Sequence, residues 1–215
     1  MTKTEILSAF DALFQREILT PEERILTFVA SLTSADRAEM LPDLLPYFTK
    51  YFIPIRSLEE TILQCYLFVG FPAVIEALHV LPIDHLAPQE KPEFSVEAFR
   101  IRGTELCKKI YGNNFEALIE RMNRYSPTLA DWMIVEGYGK VLSRDGIDIR
   151  TRELINVSIL TTTGYQRQLH SHIRGACNVG SSPEQIEEVV TQTSLVITKE
   201  QQRKALELLR QIRTQ

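Results

Sequence analysis

The stretch LHSHIRGACNVG, residues 169–180, holds two histidines, an arginine and a cysteine. In a helix, His172 falls on the i, i+3, i+4 stripe of Tyr165, Gln168, Leu169 and Ala176. His170 lies about 200° round the axis, on the side of Arg167, Arg174 and Cys177. A regular helix presents metal ligands at i and i+3 or i+4, so His170 and His172 do not form a chelating pair and no metal is expected. A carboxylate stands upstream in RTRELINVSILTTTG: Glu153 shares a side with Val157 and Leu160. If the chain turns near Thr162–Thr163, the two helices run antiparallel and Glu153 meets His172 at one level. An imidazole oriented by a carboxylate is a general acid–base pair. The other reading of the same geometry is a buried Glu–His hydrogen bond that only ties two helices together. Tyr165 and Gln168 are then either extra hydrogen-bonding groups beside the pair or ordinary interface residues.

The elements that must hold these residues are helical. Apolar spacing follows the helical period almost throughout and no sustained period-2 segment occurs, which predicts an all-α helical bundle. Thr20-Pro-Glu-Glu23 and Ser182-Pro-Glu-Gln185 each place a cap, a proline at the first helical position and a capping-box partner. Ser57-Leu-Glu-Glu60 reads as a further capping box. TTTG at 161–164 is a turn, with Gly164 breaking the pattern and the threonines suited to the helix end and the next cap. Three prolines (Pro82, Pro88, Pro92) and weak periodicity mark residues 83–93 as a linker between residues 1–82 and 94–215. The two parts look alike: LEETILQCYLF at 58–68 aligns with IEEVVTQTSLV at 186–196, and LTFVASLTS at 26–34 with INVSILTTT at 155–163 after one residue of slack. This predicts two tandem, degenerate helical repeats. Glu153 then falls on Arg24 and His172 on Asp43, so the first repeat lacks the pair.

The totals narrow the function. The chain has 215 residues, 44% of them hydrophobic, enough for a substantial core, and a net charge of −4. The basic residues near the end (Lys199, Arg203, Lys204, Arg210, Arg213) alternate with Glu200 and Glu207, a solvated helix face rather than a nucleic-acid site. No uninterrupted apolar run reaches the roughly 18 residues of a membrane span. The first residues, MTKTEILSAFDALF, carry Glu5 and Asp11 and lack the apolar core of a secretory signal. A cytoplasmic protein is expected. Cys65, Cys107 and Cys177 form no C-x-x-C and suggest neither a disulfide framework nor a cysteine metal site.

YGKVLSRDGIDIRTRELINVSIL followed by QLHSHIRGACNVGSSPEQIEEVVTQ resembles the carboxymuconolactone decarboxylase family, within the alkylhydroperoxidase D-like superfamily. The likeness begins near FRIRGTELCKKIYG at 99–112 and runs to about Leu195, and ETILQCYLFVGFPAVIEAL at 60–78 looks like the family's closing helices with a Gly70-x-Pro72 bend. It implies an all-helical unit that assembles as a homo-oligomer: a trimer of two-unit chains, or a hexamer. The peroxidase branch carries a Glu, a C-x-x-C and then a His. Here Glu153 and His172 match the outer members, and Tyr165 and Gln168 occupy the cysteine positions. Without that thiol pair a peroxidase lacks its nucleophile, which leaves Cys177 as an unusual alternative. The decarboxylase branch implies cofactor-free loss of CO2 from a small lactone or organic acid, then protonation of carbon. His172 would be the acid, Glu153 its orienting partner, and Arg152 or Arg174 the cation for a substrate carboxylate. Two departures put the substrate in question: Gln168 stands where that branch is often acidic, and EGYG at 136–139 replaces a segment that usually carries a His. An oligomeric scaffold or small-molecule-binding protein that kept the fold without catalysis is the alternative of a different class.

Overall fold

A computed structural model describes residues 1–82 and 94–213; the linker expected at 83–93 lies outside the described residues. The described residues form helices and no strands, as the periodicity predicts. The order is α1 (Lys3–Ala12), α2 (Pro21–Ser34), a 3-10 stretch (Ala38–Leu44), α3 (Leu45–Lys50), α4 (Ile55–His79), α5 (Val96–Tyr111), α6 (Phe115–Tyr125) and α7 (Pro127–Trp132). A ten-residue π-helix (Met133–Leu142), α8 (Ile149–Thr163), α9 (Gln166–Asn178), α10 (Pro183–Thr193) and α11 (Lys199–Arg213) follow.

The two capping boxes with proline form as read. Thr20 and Ser182 each accept from the N–H three residues on, and Glu23 and Gln185 reach back. The expected box at Ser57 does not. Helix α4 starts three residues earlier, after Pro54, and the Ser57 hydroxyl inside the helix donates to Glu22 and to the Gly146 carbonyl. The turn after α8 is made by Gly164 in the left-handed region at φ 77°. Thr162 and Thr163 bond back to the carbonyls of Ser158 and Ile159, so α9 has no side-chain cap.

Helices α2 and α8 are the central pair. Residues 23–33 and 151–162 are buried along almost their whole length, so α8 carries no single apolar stripe. Leu154, Val157 and Leu160 enter one core cluster with α9 and α10, while Ile155 and Ile159 enter another with α2 and α4. Between the clusters runs a polar seam that repeats itself. Arg152 on α8 donates to Glu60 and Gln64 of α4 at 3.0 and 2.9 Å and to the Arg144 carbonyl at 2.8 Å. Arg24 on α2 pairs with Glu188 of α10 at 2.9 Å, and donates to Gln192 at 3.2 Å and to the Arg16 carbonyl at 2.9 Å. Gln64 returns a bond to the Arg152 carbonyl, and Gln192 to that of Arg24. Arg144 pairs with Glu60 as Arg16 pairs with Glu188. Every partner sits at one constant offset from its counterpart. That offset removes the one-residue slack assumed above: Arg24 corresponds to Arg152, Glu153 to Ile25, and His172 to Leu44. Ile25 and Leu44 are fully buried core residues.

Helix α4 is long and apolar enough, by length and composition, to cross a membrane, which the reading of uninterrupted runs above does not register. It breaks at Gly70, whose φ of 76° only glycine adopts readily, just before Pro72. Its first half carries the buried Glu60 and Gln64 of the seam.

Candidate functional site

Glu153 and His172 meet. His172 Nδ1 lies 2.9 Å from Glu153 Oε2, with both side chains buried. A carboxylate only accepts, so this contact is a hydrogen bond when Nδ1 carries the proton, which leaves Nε2 to exchange a proton with a ligand; Asn156 Nδ2 also lies 3.3 Å from Nδ1. The other carboxylate oxygen accepts from Asn156 Nδ2 at 3.0 Å. Asn156 Oδ1 accepts from Gln64 Nε2 at 2.7 Å, and Gln64 also takes a bond from Arg152. The imidazole is thus the end of a chain His172–Glu153–Asn156–Gln64–Arg152–Glu60 that crosses from α9 through α8 to α4. Phe68 stands edge-on to the ring at 5.8 Å. Backbone closeness fixes α9 on this seam: a Cβ on Gly175 would lie 2.6 Å from Glu153 Oε2.

His172 lines a cleft of about 1300 Å³, more than enough for a small-molecule substrate. Its walls come mainly from α4, α5, α6, α7, the π-helix and α9, and carry several aromatic rings: Tyr66, Phe68, Tyr111, Trp132 and Tyr138 all contribute. Tyr66 donates to Glu136, which also holds Lys140. The EGYG segment noted in the sequence is therefore cleft wall, delivered by the π-helix, a rare geometry found often at functional sites.

The remaining sequence candidates fall in different places. Tyr165 and Gln168 line the cleft but are exposed, not part of the buried stripe; the stripe is Leu169, His172, Ile173 and Ala176. Arg152 is corrected: 2% exposed, with its terminal nitrogens engaged by Glu60, Gln64 and carbonyls, it is no part of the cleft wall and supports Glu153 from behind through Gln64 and Asn156. Arg174 is exposed and also off the cleft wall, as its helix face predicts. His170, expected to face outward, is half-buried on the cleft wall with Arg167 and Arg121. Burial and the charges of Arg174 and Arg121 hold its pKa below the ordinary histidine value. Among the described residues no group of three or more His, Cys, Asp or Glu side chains is placed to hold a metal ion.

The thiols are poor nucleophiles. Burial pushes Cys65 and Cys107 up to about 12. Cys177 is exposed, lies off the cleft wall, and is raised by partial burial against the weaker opposing charge of Arg213.

An all-helical bundle with a buried Glu–His pair opening on an aromatic cleft is the class of protein these features define. Residues 129–211 match the model of the carboxymuconolactone decarboxylase family. The match begins later and ends later than the motifs in the sequence suggest. Peroxisomal protein 2 of Schizosaccharomyces pombe is 25% identical over 194 residues, covering 86% of this chain and 88% of its own. The 4-carboxymuconolactone decarboxylase of Acinetobacter baylyi is 24% identical over 95 residues, which are 44% of this chain and 71% of that protein. An uncharacterised 15.0 kDa protein of Paracoccus denitrificans is 29% identical over 93 residues, 42% of this chain and 69% of its own.

Proposed function

We propose that this protein performs cofactor-free acid–base chemistry on a small lactone or organic acid bound in the aromatic cleft, with His172 as proton carrier and Glu153 as its orienting partner. The observation that carries this reading is the 2.9 Å contact from Glu153 to His172 Nδ1, on a ring that lines the cleft. It leaves Nε2 as the nitrogen that exchanges a proton with a ligand. In the decarboxylase form of the reaction, the bond between the ring carbon and the carboxylate breaks and CO2 departs. The electron pair is held as a dienolate, and Nε2–H of the His172 imidazolium delivers the proton to carbon. The neutral imidazole is recharged from water. The name of the Acinetobacter relative supports this substrate class.

The test is turnover of 4-carboxymuconolactone by wild type, His172→Ala and Glu153→Gln, with hydrogen peroxide in parallel. We expect lactone turnover that falls roughly 10²–10⁴-fold in His172→Ala, a smaller loss in Glu153→Gln, and no peroxide reduction. Peroxide reduction that depends on Cys177 would overturn the reading. So would lactone turnover indifferent to His172.

One observation favours a partly non-catalytic chain. At the positions matching Glu153 and His172, the first half has Ile25 and Leu44, both fully buried. The first half is on this reading a structural copy that supplies cleft wall from α4 and no acid–base pair.

A further inference from the structure

Two hydroxyls in the cleft are not used by the Glu153–His172 pair. Tyr138 donates to the Tyr111 hydroxyl at 2.9 Å. Both rings line the same cleft as His172. Tyr138 is 4% exposed, whereas Tyr111 is half-buried. Because Tyr111 accepts from Tyr138, its own O–H remains to be given away. Among the described residues no acceptor takes it, and Tyr111 lines the cleft.

The backbone holds this arrangement firmly. Tyr138 comes from the π-helix and Tyr111 from the last turn of α5. The two elements touch main chain to main chain at Gly103 and Gly139, where any Cβ would collide with the carbonyls of Ile134 and Phe99. A hydroxyl pair mounted this way is preorganised rather than free to follow a ligand.

Charge points the same way. Both hydroxyls keep their protons: burial pushes Tyr111 and Tyr138 up, and the carboxylate of Glu153 adds to it. The charge of Arg121 acts on Tyr111 in the opposite sense, and both residues line the same cleft. Arg121 itself is exposed on the cleft wall, with no ion-pair partner among the described residues. A neutral donor beside a cation, in a cleft lined by aromatic rings, suits an oxygen that carries negative charge.

We propose that Tyr111 is the oxyanion-binding group of this cleft, donating its hydroxyl to the charged oxygen of a planar enolate or phenolate while Arg121 supplies the opposing charge. Tyr138 is a positioning residue that fixes the direction of the donor. No bond to Tyr111 is made or broken. The assignment deepens the acid–base reading, because a dienolate formed there needs a receiver for its charge.

The test uses the full chain and a ligand that does not react. Binding of 4-nitrophenolate is compared with that of 4-nitroanisole, a neutral molecule with the same ring, at a pH where the phenol is ionised. Wild type is expected to prefer the phenolate. Tyr111→Phe should lose roughly tenfold or more of that preference, the usual worth of a hydrogen bond to a charged group, with 4-nitroanisole affinity unchanged. That unchanged affinity also reports an intact cleft. Arg121→Gln should lose less and flatten the dependence on salt. An undiminished phenolate preference in Tyr111→Phe overturns the proposal, as does equal binding of the two ligands by wild type. Because no turnover is read, the two ideas fail separately. Lactone turnover lost in His172→Ala, with Tyr111→Phe still preferring phenolate, sinks this proposal and leaves the acid–base reading standing. A phenolate preference that needs Tyr111, in a protein that turns over no lactone, does the reverse.

Discussion

Gly175 decides whether Glu153 can sit where it does. An added Cβ would come 2.6 Å from Glu153 Oε2 and 2.8 Å from Ile110 Cγ2. Glu153 has little room to yield, because Asn156 and His172 hold its two oxygens from other sides. Gly175→Ala is expected to cost about 1–3 kcal/mol, the usual range for overpacking, and to break the Glu–His contact. Denaturant unfolding and the loss of the bonded histidine proton would register both effects. At this scale the sequence was informative where the pair shares one helical hairpin and poor where partners come from elsewhere. Glu153 and His172 were legible because one turn and two periods place them. Asn156 is on the same helix, yet its role depends on Gln64, far away in the chain. Tyr138 carries no spacing signal, since a π-helix shifts every residue off the period on which such reading depends, and Tyr111 meets it from a separate helix, α5.

At the scale of elements, the reciprocal seam makes a sharp prediction. Glu60 and Glu188 are almost fully buried, and each is answered by arginines. Removing one partner of a buried pair strands a charge and costs about 3–5 kcal/mol. Arg24→Met and Arg152→Met should therefore destabilise the protein to a similar degree, measured by urea unfolding. The duplicate reading would lose its physical footing if one substitution were silent. Arg152→Met should also loosen the site through Gln64 and Asn156, whereas Arg24→Met should not.

Helix α8 supplies a pH test. Asp148 caps it, accepting from the N–H groups of Arg150 and Thr151. Burial opposes its charge, but the bonds from Thr151 and Arg150 outweigh burial and hold its carboxyl below the usual range. A group lowered on folding stabilises above its unfolded pKa, and that contribution is lost as pH falls through the folded value. Asp148→Ala should cost about 1 kcal/mol near neutral pH. The gap from wild type should close on acidification, read from unfolding curves at several pH values. The cap at Asp148 itself was not picked out from the sequence, although the boxes at Thr20 and Ser182 were. A Ser-x-x-Glu pattern at Ser57 misled because α4 is already under way there, having started at Ile55 behind Pro54 as its N-cap.

Across the whole molecule, the class of fold follows from periodicity alone, and the resemblance to the carboxymuconolactone decarboxylase family from a few motifs of the second half. What periodicity could not give is the interleaving. The core cluster dominated by residues from the first half contains Ile155 and Ile159, and the cluster of the second contains Leu19. The Acinetobacter and Paracoccus proteins align with less than half of this chain, while the Schizosaccharomyces protein aligns across most of it. This agrees with two units in one chain, the reading we favour for the repeated seam. We also infer a homo-oligomer, because Tyr125, Leu129 and Trp132 are exposed beside the cleft mouth. Light scattering should give a multiple of the chain mass, and a monomer would remove that part of the account.

The central claim is that Glu153 holds His172 with Nδ1 protonated and Nε2 offered to the cleft. Nitrogen-15 NMR of the histidine rings in wild type and Glu153→Gln reads this directly, without knowledge of the substrate. The account predicts an Nδ1–H tautomer for His172 in wild type, with a strongly hydrogen-bonded proton lost in Glu153→Gln. An Nε2–H tautomer in wild type, or a His172 spectrum indifferent to Glu153, would contradict it.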